Sequence, residues 1–409
     1  MRNELSLGLS GALGIRYRCF MDYVYEEWSV TAEREVSRAR FRAFMWPRVL
    51  LHFLKRSWHP FPKAPEKPET ILVIGVLLLG DVLMLSGLLK RLRQRYPHAL
   101  IRIAVPPSVV PLFSGRPWDV EAVAISPRLP STLKALCNLG TPDLAIIAGE
   151  NRYAWIARAV GAKWIVGHQD MPRGFHSRAL DQAIPYPAEP CSQTELLALL
   201  AGDGSLPPYE KGEWPSPRFQ SFSRPAEPYV LLHVGASRAL KRWSPDRWRR
   251  LANALASTGC LVIWSCGPGE EELLDEIEVE GVRYAGNLDL SQLWHLVAGA
   301  QAVICPDTGI AHLARVIGRP ACVLVGPADV QLVGNGRFWS NMPCRWLNAS
   351  VGCRDQPYVF NRPLPWSASC RRADSDCAEN ACMQGLDPES VLAVFSSLTP
   401  DIFLGKSLR

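Results

Sequence analysis

The sequence predicts an α/β protein built on two parallel sheets, each covered by helices on both faces. Two observations carry this. Short apolar runs of strand character alternate with helix-length amphipathic stretches over most of the chain, which is the pattern of parallel strands joined by crossover helices. The chain also has 409 residues, more than one hydrophobic core usually serves, so the alternation is expected to divide into two domains.

The composition narrows the function classes. Hydrophobic residues make up 48% and charged residues 21%, which excludes wholesale disorder. A net charge of +6 suits an anionic ligand or membrane surface better than a dedicated nucleic-acid partner. No run of about 18 apolar residues appears, so no transmembrane helix is expected. The opening MRNELSLGLSGALGIRYRCF lacks a compact apolar core before a small-residue cleavage site. It does not read as a signal peptide, and a cytoplasmic location is the default expectation. Of 12 cysteines, Cys344, Cys353, Cys370, Cys377 and Cys382 crowd one late segment, 344–382. In a reducing compartment such a cluster points to metal or free thiols more than to disulfides.

Residues 1–68 form an extension with few strand signals. From 30 to 58 it is rich in Arg interleaved with Phe, Trp and Leu, which predicts a basic amphipathic helix broken near Pro47. Such a helix either packs on the body of the protein or docks on a membrane surface or partner. Pro-rich 61–69 reads as a linker. The first domain, 69–225, opens with a strand at 71–79, the Gly80-Asp81 turn, a helix over 82–97 and a strand at 99–105, a βαβ unit. Further strands are expected at 143–149 and 163–167, a helix at 194–201, and the boundary at 223–228.

The second domain, 226–409, repeats the alternation. Strands are expected at 229–235, 260–267, 302–307 and 320–326, with helices at 244–258, 270–278, 290–300 and 308–318. Ser244 and Pro245 supply a cap and a first helical residue.

Three motifs end strands of this second sheet, hence share one edge, where ligands of open α/β sheets bind. Cys305-Pro306-Asp307-Thr308-Gly309-Ile310-Ala311-His312 joins a strand to a helix. The first N–H groups of a helix lack internal partners and carry partial positive charge, which suits phosphate. Thr308 adds a hydroxyl, Gly309 permits close approach, and His312 lies one turn on. Asp307 reads either as a plain N-cap or as part of that site. Ser237, Lys241 and Arg242 follow the 229–235 strand in a small-residue loop fit for a diphosphate. Glu270 closes Gly267-Pro268-Gly269 and offers a carboxylate for ribose hydroxyls. In the first domain, Asp81 reads as an N-cap or as a general base facing the cleft. His233 reads as a buried strand histidine, whereas His168 and His295 have no assignable role. Neither G-x-G-x-x-G nor a loop ending in G-K-[ST] is present, so dinucleotide and P-loop readings are weak.

Together these residues resemble glycosyltransferase family 9, the ADP-heptose:lipopolysaccharide heptosyltransferases, from about 71 to 392. ILVIGVLLLGDVLMLSGLLKRLRQRYP is similar to the family's opening strand, Gly-Asp turn and helix. HVGASRALKRWSPDRWRRLANAL is similar to its Lys-x-Trp segment, and CPDTGIAHLARVIGRPACVLVGPAD to its Asp-Thr-Gly-x-x-His signature. The resemblance implies a GT-B fold, two Rossmann-like domains facing across a cleft, and inverting transfer that needs no metal or other cofactor. It implies Asp81 as general base and Lys241 as the group stabilising the leaving diphosphate, helped by Ser237, Thr308 and Gly309. Glu270 would hold the ribose, Leu288 would line the adenine pocket with backbone atoms, and His312 would contact phosphate or sugar, with Asp307 in the same donor site.

The implied partners are an ADP-heptose donor and a lipid-linked saccharide acceptor of the lipopolysaccharide core, with 30–58 touching the inner membrane. Where the family carries a basic residue and small hydroxyl residues before the Gly-Asp turn, this sequence has Gly75, Leu77 and Leu78. Two other readings therefore stay open: heptosyl transfer to a protein such as an autotransporter, and an inert sugar-nucleotide-binding protein. The autotransporter-modifying members have long leaders and a cysteine-bound iron. The late cysteines here are similar, without a C-x-x-C pair.

Overall fold

A computed structural model describes residues 31–57, 63–170, 174–377 and 380–403. The sequence reading of residues 1–30 lies outside them. Two six-stranded sheets form the frame. The first holds β1 (Thr70–Ile74), β2 (Leu100–Val105), β3 (Val120–Ala124), β4 (Leu144–Ile147), β5 (Trp164–His168) and β6 (Gln182–Ile184), in the order β3-β2-β1-β4-β5-β6. The second holds β7 (Tyr229–His233), β8 (Leu261–Cys266), β9 (Arg283–Ala285), β10 (Ala302–Pro306), β11 (Ala321–Val325) and β12 (Cys344–Asn348), in the order β12-β11-β10-β7-β8-β9. Pairing is parallel throughout both sheets. Each order reverses beside the first strand of its sheet, so each sheet has a switch point, between β1 and β4 and between β7 and β10. A crevice opens there at the carboxyl edge.

The central strands of each sheet read as largely apolar runs because both faces are buried. In β1, Ile71 and Val73 enter one core cluster and Leu72 and Ile74 another. The helices are α1 (Thr31–Ser57), α2 (Leu79–Leu83), α3 (Ser86–Arg95), α4 (Pro130–Asn138), α5 (Ala154–Val160), α6 (Gln193–Ala198), α7 (Pro245–Ser257), α8 (Glu272–Ile277), α9 (Leu290–Gly299), α10 (Gly309–Ile317), α11 (Val330–Val333), α12 (Ala381–Gln384) and α13 (Pro388–Leu398).

Several expectations are corrected. The run 71–79 is not one strand. β1 ends at Ile74, one bond from Gly75 N–H to the Ala104 carbonyl prolongs it, and the chain then turns, with Leu77 N–H on the Gly75 carbonyl. The helix expected over 82–97 is two, because the Ser86 hydroxyl takes the Leu83 carbonyl (2.6 Å) where α2 gives way to α3. Pro47 sits inside a continuous α1. Phe41, Met45 and Val49, one turn apart, are buried on the α4–α5 face and hold the helix in register across it. Ser244 stands at the N-cap of α7, but its side chain makes no cap bond. The strands β3, β6, β9 and β12 were not anticipated; they are the edges of the two sheets.

The irregular stretch 202–228 carries the chain between the sheets, and the expected boundary at 223–228 falls in its last part, just before β7. Trp214 within it is buried, donates to the Leu112 carbonyl at 3.0 Å, and packs against Phe113 and Trp294, one ring from each domain. Across the cleft, Glu195 of α6 accepts N–H bonds from Arg337 and Phe338, and Thr194 accepts the Trp339 indole N–H. A second tie comes from a hairpin after β12, made of β13 (Tyr358–Val359) and β14 (Arg362–Pro363). Its Arg362 is buried, pairs with Asp170 at 2.6 Å, and donates to the Gly149 carbonyl at 2.9 Å. The hairpin thus clasps the carboxyl edge of the first sheet. Removing Arg362 deletes charge-assisted bonds to Asp170 and the Gly149 carbonyl, each worth about 1.5–3 kcal/mol, while Asp170 keeps the Ser177 hydroxyl. Arg362→Ala is expected to lower the thermal midpoint by several degrees, and an unchanged melting curve would show that the clasp contributes nothing.

Candidate functional site

The site is built where the two sheets turn their carboxyl edges toward each other. Asp307 follows β10, and its own N–H is tied to the Leu324 carbonyl of β11 (2.9 Å). Its carboxylate is buried. Lys241, at the end of the short turn after β7, donates to Asp307 Oδ2 and to the Asp307 carbonyl, both at 2.9 Å. His312 Nε2 faces Oδ1 at 3.6 Å. On the far side of that ring, Arg315 donates to His312 Nδ1 at 2.8 Å. Nδ1 is therefore the acceptor, and the imidazole proton sits on Nε2, directed at Asp307. Arg315 is fully buried, donates from its other terminal nitrogen to the carbonyls of Val333 and Gly334, and lies over the Trp339 and Trp346 rings.

This line of groups sets their charges. Burial raises Asp307, but Lys241 and His312 outweigh it and hold the carboxyl far below the usual range. Burial, then the Arg315 charge, push His312 down to about 4, so the ring is neutral near pH 7. The Asp307 side chain does not cap α10. The N-cap is Thr308, whose hydroxyl is buried and makes no hydrogen bond among the described residues. An unpaired buried hydroxyl beside the free first N–H groups of α10 is a ready oxyanion donor set.

Asp81 comes from the other domain. It is the third residue of α2, after an N-cap at Leu78 that has no side-chain bond, so the capping alternative fails for it as well. Its Oδ1 accepts from Gln193 Nε2 at 2.7 Å. Burial raises its pKa; the Gln193 bond and the Lys241 charge oppose this, and the Asp307 charge adds to it. Asp81 and the Lys241–Asp307 pair thus share one electrostatic environment across the domain junction. The junction is tight on both sides. A Cβ on Gly80 would stand 2.7 Å from His312 Cδ2, and one on Gly309 would stand 2.7 Å from a Leu79 methyl. The close approach that Gly309 permits is therefore made by Leu79.

Glu270 bridges two strand ends. Its oxygens accept from the N–H groups of Ala236 and Gly267, each at 2.9 Å, and Gly235 leaves it room. Ser237 is exposed in the loop after β7. Leu288 is half-buried against the core just before α9, whose start is fixed by the Asp289–Gln292 capping box. Gln193 and Arg315 were missed in the sequence. Gln193 lies in the Ser192–Glu195 capping box, which reads as a helix start alone, and Arg315 has the ordinary spacing of a basic last turn.

His233 is buried as expected, bonded to Ser265 and pushed down to about 4 by burial. His168 stacks on Tyr186, and His295 bonds the Pro217 carbonyl. Cys344 is buried in β12. Cys353, Cys370 and Cys377 all act electrostatically on Cys382 and so share its neighbourhood. Among the described residues, no three His, Cys, Asp or Glu side chains are arranged to hold a metal ion.

The model of glycosyltransferase family 9 (heptosyltransferase) matches residues 140–344, which take in Lys241, Glu270, Asp307 and His312. Lipopolysaccharide heptosyltransferase 1 of Salmonella typhimurium is 29% identical over 140 residues, 34% of this chain and 44% of that protein, so the alignment spans less than half of that relative's length. Lipopolysaccharide heptosyltransferase 2 of Escherichia coli is 27% identical over 301 residues, covering 63% of this chain and 83% of the relative. The solved ADP-heptose lipopolysaccharide heptosyltransferase II of E. coli superposes with a TM-score of 0.62 at 21% identity, over 83% of this chain and all of that one. That likeness and the two facing sheets identify the fold as GT-B. With half of its residues matched by the family model, the chain belongs to glycosyltransferase family 9, the heptosyltransferases.

Proposed function

We propose that the protein is an inverting glycosyltransferase that moves heptose from ADP-heptose to a lipid-linked saccharide of the lipopolysaccharide core, at the cytoplasmic face of the inner membrane. The observation that carries this is the close approach of α2, which bears Asp81, to the start of α10 beside the Lys241–Asp307 pair, with Gly80 against His312 and Leu79 against Gly309. The solved relative named for ADP-heptose supports the donor.

In this reading Asp81 takes the proton of an acceptor hydroxyl as that oxygen attacks the anomeric carbon. The bond from that carbon to the diphosphate oxygen breaks, and its electrons leave with ADP. The growing charge on the diphosphate meets the Lys241 ammonium, the free Thr308 hydroxyl and the first N–H groups of α10, donors already in place before the bond breaks. Asp307 orients Lys241 and His312. Glu270 offers its remaining lone pairs to the ribose, Ser237 adds a hydroxyl to the diphosphate, and backbone around Leu288 borders the adenine.

A second reading, transfer to a protein, draws on one feature. Leu78 is 44% exposed three residues before Asp81, where the family carries small hydroxyl residues. Iron retained after purification without chelators would favour it, and iron-free protein would count against it.

Asp81→Asn is expected to lower kcat on the order of a thousandfold while keeping the thermal shift by ADP-heptose. Unaffected ADP release would end the base assignment and leave a binding protein. Lys241→Met should cost about a hundredfold or more in kcat. It should also move the acidic limb of kcat/KM to higher pH. The base works only when ionised, so activity is lost as pH falls through the Asp81 pKa, which burial raises and the Lys241 charge restrains. An acidic limb that stays in place would separate Lys241 from Asp81. In a thermal-shift panel of ADP, UDP, GDP and CMP sugars, ADP-heptose should shift the protein selectively, and a response to UDP sugars alone would overturn the donor.

A further inference from the structure

The largest group of exposed apolar side chains among the described residues lies away from the site, on α1. Among the described residues, twelve large hydrophobic side chains are more than a third exposed, and five of them belong to this helix: Trp46, Leu50, Leu51, Phe53 and Leu54. Leu50 and Leu51 are 61% and 57% exposed. A sixth, Phe175, 53% exposed, has its ring 6.2 Å from Trp46. The inner face of α1 is already satisfied, since Phe41, Met45 and Val49 are buried on the first domain. At 3.6 residues per turn, the outer face places Ala39, Ala43, Trp46, Leu50 and Leu54 in one stripe. Arg42 borders the stripe on one side and Arg40 on the other, and both are exposed. The acidic residues of α1, Glu33 and Glu35, lie near its start; none occurs between 37 and 55, where Arg40, Arg42 and Lys55 are exposed. Exposed Arg178 adds a cation on the turn that carries Phe175.

A protein partner or a second copy would bury such a stripe but has no need of an acid-free, cation-bordered rim. A bilayer with anionic headgroups fits both features, because the apolar stripe enters the headgroup boundary while the arginines meet lipid charge. No described helix is long and apolar enough to cross a membrane. We infer that the outer face of α1, with Phe175, is a docking surface for an anionic bilayer, on which the helix lies in the plane of the interface. The Phe175 turn follows β5 at the carboxyl edge of the first sheet, the edge where Asp81 follows β1. One end of the docked face thus shares the carboxyl edge of the first sheet with Asp81.

The test is flotation of the full chain with vesicles of phosphatidylcholine alone and of phosphatidylcholine mixed with phosphatidylglycerol. Binding is expected to the mixed vesicles, weakening as salt screens the arginines. Leu50→Glu with Leu54→Glu should weaken it roughly tenfold or more, and Arg40→Gln with Arg42→Gln several-fold. Both pairs are exposed, and unchanged melting would show that the fold is intact. Binding to neither vesicle, or equally and salt-independently to both, overturns the proposal. So does a dimer by light scattering that Leu50→Glu dissolves in a chain that does not bind vesicles. The readout needs neither donor nor acceptor, so its failure leaves the transfer reading standing, and a failure of transfer leaves this surface standing.

Discussion

Two glycines allow the domains to meet. Gly80 of α2 receives the His312 ring, and Gly309 of α10 receives the Leu79 side chain, each so closely that a methyl group in either place would force a shift. The contact is reciprocal: the short helix after β1 and the helix after β10 present their first turns to one another. Everything assigned to the site depends on this approach. Asp81 rides on α2, one residue from Gly80, and Thr308 stands one residue before Gly309. If the helices stood further apart, a buried carboxylate and a helix start with unpaired donors would remain as separate features of two domains.

The electrostatics follow from the same junction. Two carboxylates lie close enough to influence each other, and their surroundings drive them in opposite directions. Asp307 has a lysine on one oxygen and a histidine proton facing the other, and stays ionised despite burial. Asp81 has one amide donor and a more distant cation, so burial wins and its proton affinity rises. Such a split leaves one carboxylate a fixed anion and gives the other a raised proton affinity. Arg315 acts behind the pair by fixing the orientation of the histidine, and two tryptophan faces and two carbonyls balance its own buried charge.

The edges of the cleft are closed by ties of a different kind. Glu195 and Thr194 reach from α6 to the second domain, and Arg362 reaches back from the β13–β14 hairpin to Asp170 and Gly149. That hairpin covers the carboxyl end of β4, beside Leu77, so this wall of the cleft carries residues of both domains. Its apolar character matches the loss of the basic and hydroxyl residues that the family has there.

The sequence by itself determined the strand-helix alternation, the two sheets, and the three motifs on one edge. Strands buried on both faces must be apolar without interruption, and helix starts that bind phosphate must carry small and hydroxyl residues, so both leave local signals. The edge strands β3, β6, β9 and β12 left none, because half-exposed strands such as Arg283–Ala285 carry polar residues and need no apolar run. Whether Asp81 and Asp307 were caps or site residues was equally undecided, since a cap and a catalytic carboxylate look the same after a strand. The tertiary structure excluded the cap reading by giving Asp81 to Gln193, 112 positions away, and Asp307 to Lys241, 66 positions away. Partners that distant leave no spacing to read, and only the folded chain brings them within a hydrogen bond.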